Sequence, residues 1–399
     1  MTATLLPLMA LSAHDRVLSG LSASQSAALR HVEMILQQKK GNARARLANL
    51  LTGSGCDAED YDEALRCIGT HARVVLHFHP DRFDVRSTTV AEGLLGDGVY
   101  RNQFETGLSS GSLSAFPGGE RDGWERQLFG GAYHAQGVTS SDRPKYGALE
   151  LVRYPDGPIP RFGSCYFALR RSVMKRTSFT FMGSEDPRAT ERLGTIREPD
   201  SLMAALLAEI DQGGMTSPPW PPYRAPTLGV SELTISKLLR LILELSLPRK
   251  DPPKGHPGRV LDSGIEAHVH GSIKLNADVE LLVADPSFAA TATGAVLREL
   301  ARRYHIPLFW HCGFQLAVRE VPDDFRGPAM PRLARRIAGA DGMLDAAVIG
   351  RAATSLHREP NAWREWGSRE DTLQHLKQLW HVVVHYGSPF SMGGRAVSS

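Results

Sequence analysis

The stretch RVVLHFHPDR, residues 73–82, marks the point where the sequence changes from a helical pattern to a strand pattern. Its β-branched apolar run at 74–78 stops at Pro80, which predicts a buried strand. Before it, residues 22–69 carry Leu, Val and Ile at three- and four-residue steps, the spacing of amphipathic helices. We therefore expect a helical segment that leads into the first strand of a sheet.

Downstream of Pro80, short strand candidates are separated by long loops rather than by regularly spaced helices. Apolar, β-branched runs bounded by Gly and Pro predict strands at 146–153, 164–170, 176–182, 265–273, 278–284 and 306–310. Helical spacing predicts helices at 90–95, 200–211, 234–246, 294–304 and 369–386. Many strands in the middle of the chain, helices at both ends and no regular strand–helix alternation predict an α+β fold.

Changes in sequence composition divide the chain into three predicted parts. Residues 1–70 form a helical N-terminal segment, 71–320 a strand-rich central domain, and 321–399 a helical C-terminal segment docked on the core. A Pro-rich stretch at 213–231 is typical of an exposed insertion or linker. The apolar stripe of the last predicted helix is the surface expected to dock.

Composition excludes several classes of protein. The 399 residues are 42% hydrophobic and 22% charged, which is typical of a folded globular chain. The net charge is +3 and the basic residues are spread along the chain, so we expect no nucleic-acid partner. No stretch approaches the roughly 20 apolar residues of a membrane-spanning helix, so we expect no membrane partner. The 4 cysteines form no CxxC pair, which favours a reducing compartment over a disulfide or zinc scaffold.

The motif HFHPDR at 77–82 allows three functional interpretations. His77 and His79 share one face of a strand and could ligate zinc, as in barrel hydrolases. A metal amidohydrolase would take further ligands from His268, His270, His311 and Asp345. The His-Pro-Asp tripeptide also occurs in co-chaperone J domains, but the preceding strand does not fit that helical fold. In the third interpretation, Arg82 holds a phosphate, because a guanidinium matches two phosphate oxygens. A purely structural role is also open, with His79 and Asp81 capping the turn and His77 in the core.

The segment at 103–112 combines Gln103 with small hydroxyl residues and glycines, which permit close approach of the backbone to a ligand. Its hydroxyl candidates are Ser109, Ser110 and Ser112. Many loops of this composition have no binding role.

The stretch IEAHVHG at 265–271 carries the best candidate for a catalytic carboxylate. Strand alternation places Glu266, His268 and His270 on one face and three apolar residues on the other. Glu266 therefore either faces solvent or points into a cleft.

A strand-end Arg, a hydroxyl-rich segment and a downstream strand Glu follow one another in the Arg-Ser-Glu order of mono-ADP-ribosyltransferases. NAD+ carries a pyrophosphate that an arginine can hold. Cleavage of its nicotinamide–ribose bond passes through an oxocarbenium-like transition state, which a carboxylate on the ribose hydroxyl stabilises. A serine can orient that carboxylate, so each of the three residue types has a chemical role.

Longer stretches resemble one bacterial family, the domain of unknown function 3626, over roughly residues 70–386. They are HFHPDR (77–82), RNQFETGLSSGS (101–112), FPGGERDGWERQLFGGAY (116–133), RPKYGALEL (143–151), RFGSCYF (161–167), EAHVHG (266–271), DVELLVADPSF (278–288), VPDDFRGPAMP (321–331) and DTLQHLKQLWH (371–381). The chain is thereby similar to CteC-type enzymes, mono-ADP-ribosyltransferases that modify ubiquitin on a threonine.

The resemblance implies an ADP-ribosyltransferase-like mixed β-sheet core with helical segments at both ends. It implies NAD+ as a substrate and host ubiquitin as the protein substrate, modified on a threonine so that ubiquitination is blocked. The residues that match the family's catalytic roles are Glu266 and Arg82, with Arg101 as the fallback for Arg82. The catalytic serine is ambiguous among Ser109, Ser110 and Ser112. His77, His79 and Gln103 are further candidates for contacts with NAD+.

The residue at position 264 bears on which type of side chain would receive ADP-ribose. Transferases that modify arginine often carry a Glu-x-Glu pair, whereas this chain has Gly264 two residues before Glu266. A single Glu fits a hydroxyl acceptor better than a guanidinium, because no second carboxylate is needed to hold or deprotonate the acceptor. We therefore expect threonine rather than arginine as the target residue.

Two other functions stay open at this point: a zinc-dependent amidohydrolase-like enzyme using His77 and His79, and a binding module that retains the scaffold without catalysis. The sequence leaves the oligomeric state open. The N-terminus has no basic segment before its short apolar run, so no signal peptide is evident. We expect a bacterial cytoplasmic protein, with signal-less export into a host cytosol as an option.

Overall fold

The computed structural model describes residues 20–108, 115–213, 226–248, 261 and 263–390. Two helices open this part of the chain, α1 (Ala23–Ser54) and α2 (Ala58–His71). Ser22 begins α1 in a capping box with Gln25, and Gly55 ends it in the left-handed region at a φ of 70°. These helices confirm the prediction of a helical segment before residue 73.

A mixed sheet lies at the centre of the fold. The strands in chain order are β1 (Arg73–Phe78), β2 (Val99–Tyr100), β3 (Lys145–Glu150), β4 (Cys165–Leu169), β5 (Thr177–Phe181), β6 (Leu193–Thr195), β7 (Ile265–Val269), β8 (Ile273–Lys274), β9 (Val279–Ala284), β10 (Leu308–Trp310), β11 (Leu316–Ala317) and β12 (Met343–Leu344). The large sheet has 8 strands in the order β10-β9-β4-β1-β3-β7-β5-β6. Strands β9 and β10 pair in parallel, and the other pairs of this sheet are antiparallel.

Helices and strands together confirm the predicted α+β class. The remaining α-helices of the described chain are α3 (Val90–Asp97), α4 (Gln103–Thr106), α5 (Glu120–Phe129), α6 (Asp200–Asp211), α7 (Ile235–Leu243), α8 (Leu275–Asp278), α9 (Ala292–Tyr304), α10 (Ala329–Ile337), α11 (Ala346–Arg358) and α12 (Arg369–Tyr386). Helix α5 was not predicted from the sequence, whereas α10 and α11 lie in the segment 321–399 that was predicted to be helical. In α5, charged residues and a glycine dilute the apolar spacing.

The strand predicted at 265–273 is wrong in its length. The chain leaves the large sheet after Val269, and Gly271 then adopts a φ of +84°, which a strand residue does not. Strand β8 begins at Ile273 and pairs with β2 instead. The other predicted strands end within a few residues of the observed ones.

Alternation along the central strands separates an apolar face from a polar one. Leu76, Phe179 and Ala267 belong to the main hydrophobic core on one face. On the opposite face, the register of β1, β3 and β7 aligns Ala148 with Glu266. The predicted separation of Glu266 from its apolar neighbours is therefore confirmed.

The last helix, α12, packs onto the body of the protein. It begins at the capping box of Ser368 and Asp371 and buries Leu376 and Trp380. The Trp380 Nε1 donates a hydrogen bond of 2.9 Å to the Pro160 carbonyl, in the segment before β4. The division into three segments stays a prediction, and most of the Pro-rich stretch, 214–225, lies outside the described residues. Every helix in the described ranges is too short or too polar to cross a bilayer.

Candidate active site

A cleft of about 380 Å³ opens over the polar face of the sheet. Tyr146, Ala148 and Glu266 contribute to its lining from β3 and β7, and α5 and α12 contribute side chains to its walls. Five of the residues proposed from the sequence also line it, namely His77, His79, Arg82, Arg101 and Gln103. The cleft therefore brings the strand-end arginine and the strand glutamate into one site.

The Glu266 carboxylate is held at one oxygen and open at the other. The backbone N–H of Ser184 and the Nε2 of His268 both lie within hydrogen-bond distance of Oε1, at 3.0 and 2.9 Å. Among the described residues, Oε2 receives no hydrogen bond, and the side chain is 17% exposed. The open oxygen is therefore available to a ligand in the cleft.

The environment keeps Glu266 ionised. Burial alone would raise the pKa of this carboxyl group, but the hydrogen bond from His268, the charge of Arg121 and the hydrogen bond from Ser184 outweigh burial and lower it. At neutral pH the cleft therefore contains a fixed negative charge at Glu266.

A second carboxylate, Glu185, reaches the cleft from the turn after β5. Met182 and Gly183 in this turn have φ values of 77° and 105°, a backbone conformation that is strained for methionine. Burial raises the pKa of the Glu185 carboxyl group, and the nearby charge of Glu266 raises it further. Gly264 leaves β7 without a Glu-x-Glu pair, but a second carboxylate enters the cleft from a distant part of the chain, and the preference for a threonine acceptor stays a prediction.

Two guanidinium groups that line the cleft have N–H groups without a partner in the described chain. The Arg121 guanidinium carbon lies 4.3 Å from the centre of the Tyr146 ring and 5.3 Å from that of Trp124. Within the described chain, its Nε and Nη1 have no hydrogen-bond partner, and the same holds for the Nη1 of Arg82. These N–H groups can bind an anion without breaking an existing bond.

The basic side chains in and around the cleft lie close enough together to lower one another's pKa values. Burial and the charges of Arg161, Arg326 and Arg121 lower the pKa of Lys377 to about 7. Burial and the charge of Arg326 lower the pKa of Arg161 to about 10. A bound anion would relieve this repulsion, so the cleft favours a negatively charged ligand.

The fallback arginine, Arg101, already has partners. Its Nε donates to Asp97 at 2.9 Å and its Nη1 to Glu105 at 3.2 Å. The neighbouring Gln103 keeps a buried Oε1 without a hydrogen-bond partner among the described residues. Arg82 and Arg121 are therefore better placed than Arg101 to bind an anion.

The two histidines of the HFHPDR motif differ in the hydrogen bonds that their ring nitrogens make. The Nδ1 of His77 donates to the Gly163 carbonyl at 3.2 Å, and its Nε2 accepts from the Ile159 N–H at 3.3 Å. Burial lowers the pKa of His77 to about 3, so this ring is neutral and both its nitrogens are engaged. His79 has its Nδ1 3.4 Å from the hydroxyl of Ser164.

The residues of the zinc interpretation do not converge. The Nε2 of His311 donates to the Ser164 carbonyl and its Nδ1 accepts from the Gly313 N–H, while Asp345 caps α11. In the described ranges, no group of three or more His, Cys, Asp or Glu side chains is arranged to hold a metal ion. The zinc hypothesis has no shared ligand set in this part of the protein.

The hydroxyl candidates Ser109, Ser110 and Ser112 lie outside the described residues. Instead, β5 places two buried hydroxyl residues on the polar face beside β7, Ser178 opposite His268 and Thr180 opposite Glu266. Sequence reasoning missed Ser178, which lies within hydrogen-bond distance of His268, although the alternation in TSFTF at 177–181 would have placed it on the polar face. The Thr180 hydroxyl has no hydrogen-bond partner in the described chain.

Comparison with known proteins supports the family and adds no activity. No curated protein matches the chain. The family model described as "Protein of unknown function (DUF3626)" matches residues 73–386, which include β1, Glu185, Glu266 and α12. The match covers most of the 399 residues, and the chain therefore belongs to the DUF3626 family.

Proposed function

We propose that this protein is a mono-ADP-ribosyltransferase that transfers ADP-ribose from NAD+ to a hydroxyl side chain of a protein. The observation that carries the proposal is the Glu266 carboxylate, held at Oε1 by two hydrogen bonds and open at Oε2 toward a cleft lined with arginines. A fixed anion beside cationic walls suits a ligand that is anionic at one end and develops positive charge at the other. NAD+ has both properties.

The donor half of the reaction uses the cationic walls and Glu266. Arg82 and Arg121 offer N–H groups to the pyrophosphate. The Oε2 of Glu266 accepts a hydrogen bond from a ribose hydroxyl. The bond between the ribose and nicotinamide breaks, its electron pair leaves with neutral nicotinamide, and the positive charge on the ribose is stabilised by Glu266.

The acceptor half needs a base, and Glu185 suits that role better than Glu266. A hydroxyl oxygen attacks the ribose carbon and must lose its proton. Glu266 has a lowered pKa and binds a proton weakly, whereas the pKa of Glu185 is raised. The proton therefore passes to Glu185, and the products are O-linked ADP-ribose and nicotinamide.

The fold family and the protein substrate complete the proposal. An ADP-ribosyltransferase-like core fits a mixed sheet whose polar face forms the cleft. Host ubiquitin, modified on a threonine, is proposed from the sequence resemblance, as are a bacterial cytoplasmic origin and export into a host cell.

The test is incubation of the full-length protein with labelled NAD+ and purified ubiquitin, followed by mass spectrometry of the labelled residue. A eukaryotic lysate serves as a second source of targets. We expect label on a hydroxyl side chain, with and without a chelator. Release of nicotinamide without labelled protein would point to NAD+ hydrolysis. No NAD+ turnover by the folded protein in either mixture would refute the proposal, and zinc-dependent hydrolysis would replace it.

A further inference from the structure

A chain of buried hydrogen bonds runs beneath the cleft from Tyr133 to Glu266. The Tyr133 hydroxyl contacts the Nδ1 of His270, whose Nε2 lies 3.3 Å from the Oγ of Ser178. The same Oγ lies 3.2 Å from the Nδ1 of His268, whose Nε2 lies 2.9 Å from the Oε1 of Glu266. Ser178 and both histidines are 0% exposed, so the chain has no access to water.

The phenol of Tyr133 sets the direction of the hydrogen bonds at one end of this chain. Burial raises the pKa of Tyr133 well above its usual value, so the phenol keeps its proton. Among the described residues, the Nδ1 of His270 is the acceptor within reach of that proton. His270 must then carry its own proton on Nε2 and donate it to Ser178.

The protons of Ser178 and His268 can be assigned in the same way. The ionised carboxylate of Glu266 can only accept, so the Nε2 of His268 carries a proton and donates it to Oε1. The Oγ of Ser178 accepts from His270 and can donate its own proton to the Nδ1 of His268. In this arrangement all donors are directed toward the carboxylate.

We propose that Tyr133, His270 and Ser178 are positioning residues that hold the His268 ring through its Nδ1, so that its Nε2 stays directed at Glu266. The hydrogen bond from His268 occupies Oε1 and so keeps Oε2 for the substrate. The tautomers are a property of the protein alone, whereas the effect on catalysis rests on the proposed function.

The N-terminal helix helps to keep this chain dry. Ala28 and Val32 of α1 belong to one buried cluster with Phe129 and Tyr133. The Phe129 ring also meets both histidine rings edge-on, at 5.6 and 5.2 Å between centroids. Because hydrogen bonds are stronger in dry surroundings, this packing supports a fixed arrangement. Helix α1 precedes residues 73–386, so part of this support lies outside the family match.

The first test reads the tautomers directly by NMR of the full-length protein with ¹⁵N-labelled histidine. In the parent protein we expect a proton on the Nε2 of both His268 and His270, and a hydrogen bond from Ser178 at the Nδ1 of His268. Tyr133→Phe should remove the preference for Nε2 at His270. Ser178→Ala should remove the hydrogen bond at the Nδ1 of His268 and leave the proton of both rings on Nε2. Thr180→Val is the matched control, since its buried hydroxyl on the same strand face has no hydrogen-bond partner in the described chain. A parent His270 with its proton on Nδ1 would overturn the proposal.

The second test reads catalysis as nicotinamide release from NAD+. For Ser178→Ala we expect kcat to fall about tenfold with KM nearly unchanged, the equivalent of the two hydrogen bonds that Ser178 makes to the histidine rings. The acid limb of its pH profile should move to higher pH, because Glu266 loses part of the support that lowers its pKa. Thr180→Val should behave like the parent. A Ser178→Ala protein with parental kcat and pH profile would refute the positioning role. A parent without NAD+ turnover would refute the proposed function, while the NMR result would still decide the chain.

Discussion

Replacing Glu266 with Gln keeps the shape of the side chain and removes its charge. The Gln carbonyl can still accept from the Ser184 N–H and from the Nε2 of His268, which now lie 3.0 and 2.9 Å from Oε1. The amide NH2 then replaces Oε2 in the cleft. A ribose hydroxyl therefore meets a donor where it would have met a negatively charged acceptor.

The expected loss of transfer is about 100- to 1000-fold, the usual effect of removing one preorganised electrostatic contact. Stability should change far less. Two hydrogen bonds to a charged group become neutral ones, at roughly 1 kcal/mol each. Burial of an amide also costs less than burial of a charge, so we expect a net change below about 2 kcal/mol.

The assay measures the initial rate of label transfer from NAD+, with thermal melting of the same preparation. Calorimetry should show that Glu266→Gln retains most of the affinity for NAD+, because the arginines proposed to bind the pyrophosphate are unchanged. Suppose the variant melts like the parent and retains more than about a tenth of the parental rate. Glu266 would then not be the catalytic carboxylate, since even the low end of the estimate requires a larger loss.

Arg82→Lys should weaken NAD+ binding about tenfold or more by calorimetry, because an ammonium cannot form the two parallel bonds of a guanidinium; unchanged affinity would move the role to Arg121. Glu185→Gln should slow protein modification more than nicotinamide release. In the parent, transfer should decline as the pH falls through the raised pKa of Glu185, and this decline should be absent in the variant. An unaltered pH profile would exclude Glu185 as the base. Gly350→Ala should destabilise the protein by about 1–3 kcal/mol in chemical denaturation, because the new methyl group would collide with the Asp81 carboxylate. The control Gly41→Ala, where nothing lies within 4 Å, should instead stabilise α1 by roughly 0.5–1 kcal/mol.

Local sequence patterns were sufficient for the parts of the site that depend on neighbouring residues. The period of two at 265–271 placed Glu266 and His268 on the polar face, and the apolar run before Pro80 located β1. The α+β class followed from the order of short strands and helices. The end of β7 was missed because Gly271 turns the chain out of the sheet. Whether a glycine ends a strand depends on the partner strand available beyond it, here β2 for the residues that form β8.

The partners of Glu266 were beyond the reach of local patterns. Ser178, Ser184 and Glu185 are far from it in the sequence and reach it only because β5 pairs with β7. The buried state of Arg121, which directs its N–H groups to the cleft, likewise depends on α5 packing near Tyr146 of β3. Periodicity reports which face of an element is polar, because side-chain direction repeats along a helix or strand. It does not report which elements become neighbours, because strand order and register are set by long-range packing of the whole chain.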